Sequence, residues 1–321
     1  IGVTPDTVLA KEAGLELGIK ESIVVNDRME TSVPDIYAAG DAVQVKHYVT
    51  GNDALISLAG PANKQGRIIA DNICGGDSRY LGSQGSSVIK VFDMTAATTG
   101  INETNAKKSE LEVDTVILSP MSHAGYYPGG KVMTMKVVFE KETYRLLGAQ
   151  IIGYEGVDKR IDVLATAIHA GLKATQLKDL DLAYAPPYSS AKDPVNMAGF
   201  MIDNIAKGTL KQWHLEDMDK ISRDKSIVLL DVRTVGEFNR GHMDGFKNIP
   251  VDELRERINE IEKGKPVYLI CQSGLRSYIA SRILEGNGYE TYNFSGGFRF
   301  YDAVVNDRAL IERAYACGMD Y

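Results

Sequence analysis

The stretch VYLICQSGLRSYIASRIL, Val267 to Leu284, runs from an apolar segment through a short polar loop into a helical pattern. Val267–Ile270 reads as a short buried strand, and the spacing of apolar residues predicts a helix over Ser277–Glu285. Between them, Cys271 and Arg276 bracket the loop Gln272, Ser273, Gly274 and Leu275. In open parallel sheets ligands bind at the carboxyl ends of strands, where Cys271 stands. A loop curling there turns several backbone N–H groups inward. With the dipole of the following helix, these form a cup for negative charge. Gly274 gives the loop freedom to turn sharply, and Arg276 adds a full positive charge that favours a thiolate. An isolated cysteine at a strand end is ordinarily an inert structural residue; the pattern C-x-x-G-x-R-S sets this one apart. It predicts a nucleophilic sulfur able to carry a second sulfur atom as a persulfide. Cysteine-dependent phosphatases use a longer loop between their cysteine and arginine, and the tighter cup here disfavours that chemistry.

Around this loop, Ile227–Leu230 is a second short strand candidate, and helical patterns near Val251–Glu262 and Ser277–Glu285 alternate with the strands. That alternation predicts a small parallel α/β sheet. Further upstream the character changes. Strand candidates at Val88–Phe92, Val113–Leu118, Val132–Phe139 and Leu146–Ile152 precede a helix over Val157–Ala170, an α+β arrangement. Before the Gly/Ser stretch LGSQGSS, Leu81–Ser87, lie strand candidates at Ile23–Val25 and Ile36–Ala39. A long helical pattern over Asp53–Cys74 follows, closed by Gly75–Gly76. The chain thus divides into residues 1–84, 85–208 and 209–321.

Composition bounds the function. The chain has 321 residues, 44% hydrophobic and 25% charged, ordinary values for globular domains. A formal charge of −7 argues against nucleic acid as a partner. No apolar run is long enough to cross a bilayer, and no signal peptide is visible. Three scattered cysteines, Cys74, Cys271 and Cys317, make no disulfide framework and point to a reducing, cytoplasmic setting. Cys317 reads as inert rather than resolving. No histidine has metal-ligand spacing, so no metal is expected. Lys131, Lys136, Lys141 and Arg145 are a loose basic scatter, read as solvated surface charge before phosphate contacts.

Three resemblances sharpen this. LLDVRTVGEFNRGHMDGFKNIP, Leu229–Pro250, together with CQSGLRS, resembles the rhodanese family of sulfurtransferases over about Glu216–Tyr321. It implies that Cys271 carries the sulfur, that Gln272–Arg276 wraps it, and that Asp231, Arg233 and His242 brace the sheet and loop. TSVPDIYAAGDAV, Thr31–Val43, resembles the second flavin-binding motif of the pyridine nucleotide-disulfide oxidoreductases. Spacing alone leaves Gly40 and Asp41 an ordinary strand-to-turn junction. The resemblance makes Asp41 a ligand of the ribityl or pyrophosphate part of FAD, and places Ala54, Leu55 and Ile56 near the flavin ring at the start of the next helix. YAPPYSSAKDPVN, Tyr184–Asn196, resembles the coenzyme A-disulfide reductases and their persulfide-reducing relatives, some of which end in a rhodanese domain. It implies a homodimer in which Tyr184, with Tyr126 (or Tyr127) of HAGYYPG, reaches the partner's thiol site. On the residues alone, Pro186–Pro187 flanked by tyrosines reads first as a rigid surface turn packed by aromatics.

The first residues, IGVTPDTVLA, read like the middle of a longer polypeptide, and no G-x-G-x-x-G cradle or N-terminal redox cysteine is present. The expectation is therefore a C-terminal portion with three parts: a partial FAD-binding domain, an α+β dimerisation domain and a parallel α/β rhodanese domain. The whole enzyme would use FAD and NAD(P)H to reduce coenzyme A disulfide or persulfide sulfur, with bound FAD and NAD(P)H needing residues outside this sequence. The alternative is a dimeric scaffold carrying a stand-alone sulfurtransferase.

Overall fold

The computed structural model describes the backbone of residues 3–316 and the side chains of residues 3–307. The first part holds α1 (Val8–Glu12), β1 (Ile23–Val24), β2 (Val43–Lys46), β3 (Asp53–Ala54) and α2 (Ala59–Ile73). Its three-stranded sheet has β2 in the centre, parallel to β1 and antiparallel to β3. Met29, Val43 and Val45 form its small core. Two expectations are corrected here. Ile36–Ala39 is no strand and makes only an isolated bridge from Tyr37 to Glu30. The helix starts at Ala59 rather than Asp53, because Asp53 and Ala54 pair with Lys46 and Val45 and Leu58 stays extended. Pro61 marks that start: in a first turn its missing N–H costs nothing.

The second part is an antiparallel sheet of β4 (Ser87–Val91), β5 (Met94–Gly100), β6 (Val113–Leu118), β7 (Thr134–Glu140) and β8 (Leu146–Gly153), in the order β4-β5-β8-β7-β6. The short helix α3 (Glu103–Lys108) leads into β6. Helices α4 (Val157–His169) and α5 (Pro194–Ala206) pack against this sheet. Leu147, Ile151, Leu164, Leu177, Val195 and Ile202 are fully buried in its core. The strand β5 escapes the sequence pattern, because MTAATTG carries small and hydroxylated residues in place of alternating large apolar ones.

The third part comprises β9 (Gln212–Trp213), α6 (Met218–Ile221), β10 (Val228–Asp231), α7 (Val235–Arg240), β11 (Lys247–Asn248), β12 (Val267–Ile270), α8 (Leu275–Glu285), β13 (Thr291–Phe294) and α9 (Gly297–Ala316). All five strands are parallel, in the order β11-β10-β12-β13-β9. The helix expected near Val251–Glu262 is instead a succession of tight turns ending in a 3-10 turn at Ile258–Glu260. Most backbone bonds span three residues there, as from Leu254 N–H to Val251 O and from Ile261 N–H to Ile258 O, with a single one spanning four, from Arg257 N–H to Glu253 O. Apolar residues at intervals of three and four fit such turns as well as an α-helix.

The third part is seated on the free edge of the antiparallel sheet. From β6, the Ile117 N–H donates to Ser295 Oγ at 3.1 Å and the Thr115 carbonyl accepts from Gln212 Nε2 at 3.1 Å. His214 Nε2 lies 3.2 Å from Asp114 Oδ1. An edge strand left bare would invite aggregation; here it is covered. Trp213 is 2% exposed, packs on Phe294 at 4.3 Å and donates from Nε1 to Leu269 O. Trp213→Ala should cost about 3–5 kcal/mol of the third part's stability, read as a lowered denaturant midpoint by circular dichroism; Trp213→Phe should recover most of it.

Candidate functional site

Strand β12 delivers Cys271 to the carboxyl edge of the parallel sheet, 1% exposed. The chain then turns through Gly274, whose φ of +99° lies in the region that favours glycine, and enters α8. The turn aims the Gly274 N–H at the sulfur, 3.1 Å from Sγ. One residue past Arg276, the buried Ser277 hydroxyl reaches both Sγ, at 3.2 Å, and Gly274 O, at 3.1 Å. A hydroxyl has one proton, so it serves one of these acceptors at a time. Asn293 on β13 donates to Gly274 O at 3.1 Å and fixes the loop from behind. Beneath it, Phe298 N–H donates to Cys271 O and Arg299 N–H to Gln272 O. Gly297 sits so close that a Cβ would come within 2.7 Å of Gln272 O.

Arg276 makes no hydrogen bond to the sulfur. Its guanidinium clasps Glu237 of α7 through two bonds of 2.7 Å. This clasp, aided by Thr234, holds the Glu237 carboxyl down at about 2. The charge expected beside the sulfur is therefore largely spent on a carboxylate, and the direct donors are Gly274 N–H and Ser277 Oγ–H. Asp231 and Arg233 are both buried and bonded at 2.6 Å, with Arg233 lying 3.8 Å from the Phe298 ring centre. His242 stacks on Phe238 at 3.9 Å. A cleft of about 410 Å³ opens beside Gln272, between Arg240, Phe298 and Arg299. Ser273 and Leu275 face solvent on the loop's outer side.

On the second part, Tyr126 and Tyr184 meet: their hydroxyls are 2.9 Å apart, and both side chains are exposed. The bond to Tyr126 raises the Tyr184 hydroxyl above the ordinary phenol value. Tyr127 is turned instead toward His123, with ring centres 5.6 Å apart. Of the basic scatter, Lys136 is paired with Glu103, Lys141 with Glu112 and Arg145 with Glu140. Among the described residues no cluster of three or more His, Cys, Asp or Glu side chains could hold a metal ion. No helix there is long and apolar enough to cross a membrane. Cys317 lies outside the described residues.

On the first part, Gly40 has φ +85° and donates from N–H to Gln65 Oε1 of α2 at 2.7 Å. Asp41 follows in a 3-10 turn, with its exposed carboxylate unbonded among the described residues. Ala54 lies in β3 and Leu55 in the extended segment before α2, whose first turn has no side-chain cap. A glycine permitting close approach, a free carboxylate and an uncapped helix N-terminus together fit the polyol and phosphate chemistry of a dinucleotide cofactor.

A sulfur cupped at the end of a parallel sheet is thus joined to an antiparallel unit that displays two bonded phenols. The sequence profile described as pyridine nucleotide-disulphide oxidoreductase matches residues 1–66, that of the same enzymes' dimerisation domain matches 86–194, and that of the rhodanese-like domain matches 214–303. The chain belongs to the pyridine nucleotide-disulphide oxidoreductases and carries a rhodanese-like domain. It is 39% identical over 194 residues to an NAD(P)H sulfur oxidoreductase (CoA-dependent) of Pyrococcus furiosus, covering 60% of this chain and 44% of that protein. It is 35% identical over 201 residues to a coenzyme A disulfide reductase of Staphylococcus aureus, covering 62% and 45%. The crystal structure of reduced Bacillus anthracis CoADR-RHD superposes with a TM-score of 0.93 at 48% identity, over 96% of this chain and 55% of that one. An NAD-dependent persulfide reductase from A. fulgidus superposes with a TM-score of 0.85 at 42% identity, over 94% and 55%. The chain thus spans about half the length of the relatives it matches.

Sequence reasoning missed Ser277, Glu237 and Asn293. Ser277 was readable as the residue one helical turn after the glycine; Glu237 and Asn293 come from other elements and needed the fold. Ser277→Ala, which removes a donor to the sulfur, should slow sulfur loading of Cys271 roughly tenfold, measured as persulfide formed per minute by cyanolysis. With its folded value near 2 against an ordinary 4.5, Glu237 adds stability that is complete above pH 4.5 and is lost as pH falls toward 2. Glu237→Gln should flatten that loss by about 1 kcal/mol, seen in urea midpoints compared at pH 7 and pH 3.

Proposed function

We propose that this chain is part of a homodimeric, FAD- and NAD(P)H-dependent reductase of coenzyme A disulfide or of persulfide sulfur, joined to a rhodanese sulfurtransferase. The observation that carries the reading is the pair of hydrogen bonds converging on Cys271 Sγ from Gly274 N–H and Ser277 Oγ–H. A sulfur so held can attack the outer sulfur of a donor such as thiosulfate: the donor S–S bond breaks, sulfite leaves with the bonding pair, and a persulfide remains on Cys271. An acceptor nucleophile such as cyanide then takes the outer sulfur and restores the thiolate. Gly274 N–H from the loop and Ser277 Oγ–H from the first turn of α8 bond the charge on Sγ when the thiolate is restored.

For the reductase, Gly40 and Asp41 would hold the polyol part of FAD, with Ala54 and Leu55 beside the ring. When bound, the flavin supplies the two electrons that open a disulfide. The chain's own residues would bind and orient: Asp41 accepts from hydroxyls, the first turn of α2 offers free N–H groups, and the Tyr126–Tyr184 pair offers a phenol O–H to a substrate sulfur. Names of relatives that act on coenzyme A disulfide and on persulfide support this substrate class.

Cys271→Ser should reduce thiosulfate:cyanide sulfur transfer to background while leaving reduction of coenzyme A disulfide by NAD(P)H within about twofold of wild type. Transfer retained by the variant would refute the role of Cys271; absence of flavin absorbance from the whole protein, with the residues outside this sequence included, would refute the reductase reading.

A further inference from the structure

Two exposed loops have no intrinsic reason to hold two phenols at hydrogen-bond distance. Tyr126 is 77% and Tyr184 45% exposed, and the two lie in irregular segments 58 residues apart. What registers them lies beneath. Arg160 of α4 is 1% exposed, among the largest fully buried side chains. Its Nη2 donates to Ser122 O at 2.9 Å, four residues before Tyr126, and to Ser189 Oγ at 3.1 Å and Tyr188 O at 3.4 Å, beyond Tyr184. Its Nε donates to the Asp193 carboxylate at 3.2 Å, and Ser189 Oγ donates to the same carboxylate at 2.7 Å. Asp193 in turn caps α5 through Val195 N–H. Neighbouring Lys159 reaches Ala183 O, the residue before Tyr184. A direct backbone bond, Ala124 N–H to Ser189 O at 2.9 Å, joins the two loops.

The sequence is shaped around this guanidinium. Gly156, at φ +70°, accepts from Nη1 through its carbonyl at 3.1 Å, and a Cβ there would lie 2.0 Å from Nη1. Burying an arginine–aspartate pair costs several kcal/mol per ion in lost hydration, and a well-packed apolar substitute is often as stable. What the ion pair gives that a leucine cannot is direction: a planar fork ties named carbonyls of two loops to one helix. Beside it opens a cleft of about 590 Å³, lined by His123, Lys159, Arg160, Tyr184 and Tyr188.

We propose that Arg160 is a positioning residue that registers the Tyr126 and Tyr184 loops, so that one phenol donates to the other and the pair offers a single directed O–H to the sulfur of a disulfide or persulfide substrate. The catalytic half of this statement rests on the reading given under Proposed function; the registering half does not.

The test separates the two. In the flavin-loaded protein carrying tyrosine labelled with ¹³C at Cζ, the Tyr184 resonance, assigned with Tyr184→Phe, should titrate above the ordinary phenol range. In Arg160→Lys, which keeps the charge but loses the fork, it should return to that range. The milder Ser189→Ala, which removes one link of the network, should shift it part of the way, provided each variant melts above the assay temperature. A Tyr184 titration unchanged in both variants overturns the clamp. In kinetics with coenzyme A disulfide, Arg160→Lys should lower kcat about 10- to 100-fold with KM changed far less, and should cost nothing further when added to Tyr184→Phe. Additive losses overturn the positioning role. If Tyr184→Phe alone leaves kcat unchanged, the catalytic reading of the phenols fails, and the resonance shift alone decides the clamp.

Discussion

A sulfur atom largely shielded from water has to find most of its hydrogen bonds in the chain that surrounds it. At Cys271 that requirement orders the local structure. Gly274 takes a left-handed turn so that its N–H meets Sγ, and Ser277 follows at the distance that brings a hydroxyl to the same atom. Gly297 lacks a side chain because the loop rests directly on it, and Asn293 holds the loop from the next strand. Sheet order, with β12 between β10 and β13, brings these partners together. Glu237 then takes up Arg276, so the cup is polar without carrying an unpaired cation.

Both larger parts solve the problem of irregular loops in the same way. In the parallel domain the buried pair Arg233–Asp231 pins the segment around Gly241, to whose carbonyl Arg233 donates at 2.8 Å. In the antiparallel domain Arg160–Asp193 pins the two tyrosine loops. Arg160 spends its fork on the Gly156, Ser122 and Tyr188 carbonyls, the Ser189 hydroxyl and one carboxylate, and Arg233 on the Gly241 carbonyl, the Gln272 side-chain oxygen and one carboxylate, which fixes direction where packing alone would fix only proximity.

Much of this was legible in the sequence, and the failures have physical causes. Val113–Leu118 and Val267–Ile270 are strands over the residues expected, because runs dominated by β-branched, aliphatic and aromatic residues have few alternatives. The family likeness implied that Tyr184 and Tyr126 or Tyr127 reach the partner's thiol site, but the bond between the Tyr126 and Tyr184 hydroxyls was not legible, since nothing local relates residues so far apart. Val251–Glu262 deceived because 3-10 turns share the apolar interval of a helix. The clasp of Arg276 by Glu237 was hidden because an arginine beside a cysteine invites a direct pairing, while the partner actually used is thirty-nine residues upstream on another helix.

The join between the two larger parts is made of structure. Gln212 is at once the start of a sheet strand, paired with Asn293, and a donor to the Thr115 carbonyl across the seam. Only Lys207–Lys211 separates α5 from that strand. Such a connection has no slack for swinging one part against the other.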